Sequence, residues 1–287
     1  MTAGTLKKQN KALEVLKRMS KNRLAMAGLI IFSIEILLAV LAPVIAPYGF
    51  AEMDYTAMQT GPSAAHWFGT DEMGRDILSR LLYGSRYSLS VGLIAILLNT
   101  AAGMAVGAVA GFFGGWVDNL IMRFLDVIQS LPAMLLTIVI SAVLGPGYFN
   151  TILALSINGI PGKARMLRAQ ILKERNAEYI EASESINCSR FRTIFRHLIP
   201  NCFSPLIVQS TMGVATIITT MAGLSFIGLG VQPPTPEWGA MLSGSRQFIR
   251  TSPYMVVFPG LAIAVTVLAL NLLGDGLRDA LDPKLKR

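Results

Sequence analysis

Apolar runs as long as a lipid bilayer is thick recur along the chain, and this feature restricts the fold most. A helix needs roughly 20 apolar residues to cross the hydrocarbon core. Because backbone polar groups find no water there, a single-chain span of this kind is an α-helix. Runs of sufficient length cover residues 24–46, 88–113, 124–144, 202–229 and 254–273. The sequence therefore predicts an all-α, polytopic membrane protein.

A sixth, weaker segment is needed to balance the distribution of basic residues. Residues 149–160 reach only half a span before Pro161, and they cross only if the helix continues through Lys163 and Arg165, with those side chains extending to the interface. With that span included and the N-terminus inside, all but five of the 25 Lys and Arg residues lie on the cytoplasmic side. This asymmetry follows the positive-inside rule. We predict six transmembrane helices with both termini cytoplasmic.

These spans divide the chain into five parts. The first run is longer than the apolar region of a signal peptide and lacks a clear A-x-A cleavage site, so we predict that it is retained. The net charge of +8 lies mostly in loops, which favours membrane orientation over nucleic-acid binding. The parts are a cytoplasmic N-terminal segment (1–23), the first transmembrane helix (24–46), an extracytoplasmic loop with an amphipathic helix (47–87), a core of five transmembrane helices (88–275) that includes a cytoplasmic loop (163–200), and a cytoplasmic tail (276–287).

Patterns for catalysis or metal binding are not found in the sequence. Cys188 and Cys202 lack C-x-x-C spacing and are expected to be free thiols, while His66 and His197 stand alone. The stretch GIPGKA has Ala164 where a P-loop needs Ser or Thr to hold magnesium. The sequence therefore predicts a non-catalytic chain that has no metal site or cofactor of its own.

A charged, helix-like stretch interrupts the apolar runs within the 163–200 loop. The residues that share one helix face at i, i+3, i+4 and i+7 are Tyr179, Ala182, Ser183 and Ile186. Glu178, Glu181 and Glu184 lie beside that face. A helix that rests on lipid favours Lys and Arg because the inner leaflet is anionic. The acidic flank therefore favours docking into a protein partner.

This stretch, EYIEASESINCS followed by IFRHLIPN, resembles the EAA motif of permease subunits from bacterial ABC importers. The resemblance implies a short coupling helix that sits in a cleft of an ATP-binding subunit. Ser183 stands where the motif usually has alanine, and Asn187 where it usually has glycine; Asn is the next-best residue to Gly in a left-handed conformation. The residues to which the resemblance assigns ATPase coupling are Tyr179, Glu181, Ala182, Ser183, Ile186 and Asn187.

Further stretches resemble the dipeptide, oligopeptide and nickel branch of that family. They are HWFGTDEMGRDILSRLLYGSRYSLSVGL, LSFIGLGVQPPTPEWGAMLS and FPGLAIAVTVLALNLLGDGLRDALDPKL, while KNRLAMAGLIIF resembles the second type of permease subunit in the branch. The resemblance implies the type I ABC importer permease fold in a bacterial plasma membrane. The implied partners are a second homologous permease, two ATP-binding subunits that hold ATP and magnesium, an extracytoplasmic substrate-binding protein and the lipid bilayer, without nucleic acid. The expected cargo is a di- or oligopeptide, with nickel, a metallophore or glutathione as alternatives.

Residues on the outer side are candidates for contact with the substrate-binding protein. The segment 71–85 carries apolar residues on one side and charged residues elsewhere, which predicts either an interfacial helix or a lip over the outer mouth of the path. Tryptophan in the next outer loop is either a further contact or an anchor at the membrane interface. The candidate contact residues are Arg75, Asp76, Arg80 and Trp238.

Two other classes of function remain open from the sequence. An ion-coupled secondary transporter uses broken helices with polar groups at the bilayer midplane, and Glu35 is the one charge deep in a predicted span. Glu35 either pairs with another helix or lines a path. Asp126 lies three residues after Arg123, which predicts a local ion pair. A membrane-embedded enzyme needs convergent nucleophiles, bases or metal ligands, and these do not cluster in the sequence.

Overall fold

The computed structural model of the protein describes residues 11–175, 177–185, 188–189 and 192–281. Over these residues the regular structure is helical, which confirms the predicted all-α fold. A π-helical turn, Thr193–Leu198, and a 3-10 turn, Arg246–Phe248, accompany the longer elements. The α-helices in chain order are α1 (Lys11–Met19), α2 (Arg23–Ile45), α3 (Ile77–Phe113), α4 (Gly115–Gln129), α5 (Ala133–Leu144), α6 (Tyr148–Glu174), α7 (Glu178–Ser185), α8 (Ile199–Phe226), α9 (Trp238–Ser245) and α10 (Tyr254–Leu281).

Four of the described helices, α2, α3, α8 and α10, are long and apolar enough to cross a bilayer. The pair α4 and α5 makes a fifth candidate if it is counted as one span, although its halves are bent by 84°. The prediction of one continuous helix over 124–144 is therefore wrong. Pro132 explains the break, because proline lacks a backbone N–H and disfavours a helical conformation for Leu131 before it.

Glycines on α3 form a seam against α6. A Cβ atom on Gly103 would lie 2.4 Å from Lys163 Cβ, and one on Gly107 would lie 2.4 Å from Ala164 O. Both distances are too short for any side chain. Small residues let two membrane helices approach at backbone distance, where dispersion contacts drive their association. The two backbones therefore touch along this seam.

The order of contacts shows that α3 and α6 run in the same direction. The hydroxyl of Tyr148, at the start of α6, donates to Ser90 Oγ at 2.8 Å. Gly111, near the end of α3, faces Ile171 near the end of α6. Between two parallel helices the chain must return through the bundle, and α4 and α5 make that return. Length and composition do not select α6 as a span, so the described helices supply four or five candidates, and the count of six transmembrane helices stays a prediction.

The first span, α2, packs on the periphery against α10. A Cβ atom on Gly28 would lie 2.5 Å from Ala269 O, so the two backbones touch. The opposite face of α2 exposes large apolar side chains, and Val44 at its end is 82% exposed. A continuous apolar face of this size is stable in a bilayer and not in water. The position of α2 agrees with the predicted membrane-spanning segment.

We call the end of the bundle that carries residues 46–76 the outer end, and the end that carries α7 the inner end. The outer loop, residues 46–76, does not contain the separate amphipathic helix predicted for residues 71–85. Asp76 instead caps α3, with its Oδ2 accepting a hydrogen bond from Ser79 N at 2.7 Å. From there α3 continues without interruption to Phe113. Ile77 and Leu81, which an interfacial helix would place against lipid, are buried within the chain. The prediction of a separate helix was wrong because Asp76 caps α3, so the spanning helix already begins at Ile77.

Candidate functional site

A separate short helix, α7, covers much of the stretch that resembles the EAA motif. Main-chain hydrogen bonds tie it to the end of α6: Ala177 N donates to Glu174 O at 3.0 Å, and Ile180 N donates to Ala177 O at 2.8 Å. The Tyr179 hydroxyl adds a side-chain link by donating to Glu174 Oε2 at 2.8 Å. The position of α7 is thus set by the end of α6.

Ile180 anchors α7 to the rest of the bundle. Its side chain is 2% exposed and lies in a hydrophobic cluster between the inner ends of α6 and α8. Full burial of an isoleucine side chain stabilises a structure by about 1.5–3 kcal/mol. A displacement of α7 therefore acts on both longer helices. This cluster, the inner cluster, consists of Ala108, Leu167, Ile171, Ile180, Ile194, Leu198, Ile199, Cys202 and Leu206.

The chain enters α8 through the π-helical turn that ends at Leu198. Ile199 N donates to Ile194 O, five residues back. Pro200 has no N–H to donate to the carbonyl of Arg196, so the ordinary helical pattern is interrupted here. Such turns occur often at functional sites, and this one lies beside α7 in the inner cluster.

The predicted coupling residues fall into three groups. The side chain of Tyr179, on α7, is 37% exposed. Glu181, Ala182 and Ser183 lie within α7, where the structure describes their backbone. Two further predicted residues, Ile186 and Asn187, lie outside the described residues. The anchor at position 180 lies outside the repeat at 179, 182, 183 and 186 and was not predicted, although a bulky aliphatic residue beside a helix face of small and polar residues was a usable signal.

Two ion pairs join α4 to the inner half of α6. Arg168 donates through Nε and Nη2 to the two carboxylate oxygens of Asp118, which is buried. Arg165 Nη2 donates to Asp126 Oδ1 at 2.7 Å. The predicted local pair of Arg123 with Asp126 is confirmed at 3.8 Å, but Arg123 is largely in solvent, where such pairs contribute little. Bidentate pairing fixes distance and orientation together, so α4 is held firmly on α6.

A buried network of charged groups lies at the outer end of the bundle. Asp71 Oδ2 accepts a hydrogen bond from Arg75 Nε at 2.7 Å and lies 3.5 Å from Arg80 Nε. His66 Nδ1 lies 3.0 Å from Asp76 Oδ1. We call these five residues the outer network. The Asp71 carboxylate compensates the two buried arginines, as a stable interior requires.

The structure does not display the predicted binding-protein contacts on a surface. Arg75, Asp76, Arg80 and Trp238 are all buried, none of them more than 5% exposed. The Trp238 ring nitrogen Nε1 donates to Leu81 O at 3.1 Å, inside the chain. The alternation of charged and apolar residues suggested an exposed helix, but the loop itself supplies the partners that bury these charges. The four side chains therefore act within the chain's own packing.

Glu237 holds the short helix α9 against α3. It is fully buried, and its two carboxylate oxygens accept hydrogen bonds from Gly239 N at 2.7 Å and Ala240 N at 2.8 Å. Ser88 Oγ, on α3, donates to Glu237 Oε1 at 3.3 Å. Burial raises the pKa of Glu237, because removal from water disfavours the charged form. This cap attaches α9 and its loop to the spanning helix α3.

Lys163 on α6 and Glu35 on α2 bring ionisable groups into the helical bundle. Lys163 was expected to extend to the interface, but it is buried, and its Nζ donates to Ser210 Oγ at 3.0 Å. Ser210 in turn shares a hydrogen bond with Thr100 Oγ1 at 3.0 Å, so this contact joins α3, α6 and α8. Glu35 has one carboxylate oxygen that is buried without a hydrogen-bond partner among the described residues. The Glu35 carboxylate also interacts with the Thr266 side chain on α10, which supports the alternative in which Glu35 contacts another helix, while the lining of a path stays a prediction.

Comparison with known families covers both ends of the chain. Residues 103–287 match the model for the binding-protein-dependent transport system inner membrane component. Residues 13–62 match the N-terminal TM domain of oligopeptide transport permease C. Two models thus match in the order in which the sequence motifs occur.

Named relatives resemble nearly the whole chain. It is 46% identical over 273 residues to the dipeptide transport system permease protein DppC of Alkalihalophilus pseudofirmus, covering 95% of this chain and 90% of that protein. It is also 46% identical over 274 residues to the glutathione transport system permease protein GsiD of Escherichia coli, with 95% and 90% covered. Among solved structures, the MetNI methionine ABC transporter in an inward-facing form matches with a TM-score of 0.58 at 18% identity, covering 72% of this chain and 98% of that chain. The structural match concerns the fold.

Proposed function

The chain belongs to the family of binding-protein-dependent transport system inner membrane components, and on this premise we propose that it imports peptides by moving with ATP-binding subunits through α7. It is an α-helical, multi-pass membrane protein and a permease subunit of an ABC importer. The observation that carries the proposal is the burial of Ile180 between α6 and α8. A helix that docks on a partner transmits motion only if it is fixed to the spans.

Short peptides are the proposed substrate class. Relatives with 44–46% identity are named as dipeptide permeases. Glutathione is a second candidate because the Escherichia coli relative with 46% identity is named for it. Glutathione is itself a tripeptide, so both candidates share free amino and carboxyl groups on a short amide backbone.

The proposed assembly contains this chain, a second homologous permease, two ATP-binding subunits and an extracytoplasmic substrate-binding protein. ATP and magnesium belong to the ATP-binding subunits, and this chain carries out no reaction. In the assembly α7 and both termini face the cytoplasm, while the outer loop and α9 face the binding protein. The family description supports the binding-protein partner, and the distribution of basic residues supports the orientation.

In the proposed mechanism, ATP binding draws the two ATP-binding subunits together and shifts the cleft that holds α7. Because the inner cluster locks α7 to α6 and α8, the inner ends of these helices move as a unit. The ion pair between Arg168 and Asp118 carries α4 along, and the glycine seam carries α3. Rigid-body movement of this kind opens the path to one side while it closes the other.

A charge reversal on α7 tests the docking. Glu181→Lys is expected to weaken association with the ATP-binding subunits while membrane insertion stays intact. Glu52→Lys is the matched control, since this exposed glutamate lies in the loop between α2 and α3 and is not part of α7 or its acidic flank. The measurement is co-purification of the ATP-binding subunits in mild detergent. Normal assembly and transport by Glu181→Lys would contradict the proposal.

Uptake assays identify the cargo. The complete importer with its binding protein is reconstituted into liposomes, and ATP-dependent uptake is measured separately for a dipeptide, glutathione and nickel. Uptake of the dipeptide is expected, and uptake of glutathione alone would favour the second candidate. Uptake of nickel alone would contradict the peptide proposal while leaving the importer class unchanged.

A further inference from the structure

A cavity of about 640 Å³ opens at the inner end of the bundle between α6, α8 and α10. Its volume falls within the roughly 300–1,000 Å³ of ordinary small-molecule sites. Lys173 and Glu174 at the end of α6, and Arg278 on α10, bring both signs of charge to its wall. Among the residues that the structure describes, neither cation forms an ion pair with a carboxylate. The charges of Lys173 and Arg278 are thus available to a ligand in the cavity.

The lining matches the chemistry of a short peptide with free termini. Lys173 and Arg278 suit a carboxylate, and arginine can bind one through two parallel hydrogen bonds. Glu174 suits the ammonium group at the other end of the peptide. The side-chain amides of Gln170 and Gln209 also line the cavity and suit a peptide group, while Met212 offers an apolar surface. An anionic lipid headgroup is a poorer match because Glu174 would repel it.

Glu174 connects the cavity to the predicted coupling helix. One oxygen of its carboxylate, Oε2, accepts the hydrogen bond from the Tyr179 hydroxyl on α7. A ligand ammonium group on the same carboxylate would hold Glu174 in this orientation and so support the contact with Tyr179. A ligand that binds one conformation stabilises it relative to the others.

We propose that this cavity binds a short peptide with free amino and carboxyl termini on the cytoplasmic side, and that the bound peptide holds α7 in its present position. The imported product thereby slows its own import. This inference rests on the proposed function, because it takes peptides as the cargo. It adds a second peptide site, separate from recognition by the substrate-binding protein.

Binding is tested first on the complete importer without its binding protein, in phosphatidylcholine nanodiscs. Titration with alanyl-phenylalanine is followed by calorimetry, and the N-acetylated, C-amidated form of the same dipeptide is the ligand control. Loss of a hydrogen bond to a charged group weakens binding about tenfold or more, so we expect this loss for the blocked peptide and for the Lys173→Gln, Arg278→Gln double variant. Arg175→Gln, which changes an exposed basic residue outside the cavity, is expected to bind as wild type.

Inhibition is tested second, through ATP hydrolysis stimulated by the peptide-loaded binding protein. Excess free alanyl-phenylalanine is expected to lower this rate several-fold in the wild type and to have little effect on the double variant. Tyr179→Phe separates peptide binding from inhibition of ATP hydrolysis, because this variant keeps the cavity but loses the hydrogen bond to Glu174. This variant is expected to bind the dipeptide normally and to be inhibited less.

The outcomes distinguish the two proposals. An importer that neither takes up peptides nor responds to the loaded binding protein would refute the proposed function. An importer that transports peptides but shows equal binding and inhibition in the wild type and the double variant would refute the cavity site alone. If phosphatidylglycerol in the nanodisc displaces the peptide, and the double variant loses that lipid, the cavity is a lipid site and the peptide inference is overturned.

Discussion

The outer and inner ends of the bundle satisfy their polar groups in different ways. At the outer end, Asp71 compensates Arg75 and Arg80 inside the chain, and these side chains are buried. At the inner end, α7 is attached through Ile180 while Tyr179 remains more than a third exposed. The difference teaches that the charged groups at the outer end find their partners within the chain, whereas the inner end leaves part of α7 exposed, as the proposed docking of another subunit requires.

The largest effect is expected from Asp71→Asn, which removes the shared counter-charge of two buried arginines. Breaking a buried ion pair from one side destabilises a protein by about 3–5 kcal/mol, so the free energy of unfolding should fall by that amount. The measurement is thermal unfolding of the purified importer in detergent. Glu52→Gln, an exposed change in the same loop, should stay within about 0.5 kcal/mol of wild type. Equal stability of the two variants would show that the outer end is not internally fixed.

Ile180→Ala tests the opposite end. Truncation of a buried isoleucine costs about 2–5 kcal/mol, but here the loss should be local, because α7 can detach while the spans stay folded. Faster hydrogen exchange across 178–185 is expected, together with reduced stimulation of ATP hydrolysis and a nearly unchanged melting temperature. A drop in melting temperature like that of Asp71→Asn would mean that the inner end is as integral to the fold as the outer end.

Arg168→Gln tests how strongly the ion pair between α6 and α4 stabilises the inner end. This change leaves the buried carboxylate of Asp118 without its charged partner, and the free energy of unfolding should fall by about 1–3 kcal/mol. Arg123→Gln is the matched control, because its pair with Asp126 is long and lies in solvent, where the contribution is about 0–1 kcal/mol. Thermal unfolding of both variants gives the comparison. Equal losses of unfolding free energy in the two variants would mean that the Arg168–Asp118 and Arg123–Asp126 pairs are equally exposed to solvent, which would contradict the burial of Asp118.

Sequence patterns predicted the elements whose signal is local. The apolar lengths of the runs around α2 and α10 sufficed because the bilayer sets a minimum length for a span. The seam at Gly103 and Gly107 is likewise encoded locally, by residue size. The break at Pro132 was also locally encoded, yet the continuous apolar run concealed it.

Long-range pairing of charges was beyond a reading of local patterns. The arginines at 75 and 80 belong to a charged segment whose exposure depends on where Asp71 folds. The same holds for Arg168, whose partner lies 50 residues away on α4. Ile180 differs, since a bulky aliphatic residue in EYIEAS marked the buried side of α7, but the repeat at 179, 182, 183 and 186 pointed to the neighbouring face. Predictions at the outer end failed because charged residues that were expected on the surface are buried with partners from the same chain.

The smallest effect is expected from Glu237→Gln, which tests whether the outer end depends on protonation. Burial raises the pKa of Glu237 above the ordinary value of 4.5, so the folded state binds the proton more tightly than the unfolded state. The stabilisation from this group is then complete below pH 4.5 and is lost as the pH rises through the folded-state pKa. Melting temperatures of the wild type should fall over that range, and Glu237→Gln should fall less steeply, since the other titrating groups are common to both proteins. Parallel pH profiles would mean that the capping hydrogen bonds from Gly239 and Ala240 offset the burial, and that the outer end is insensitive to the charge of Glu237.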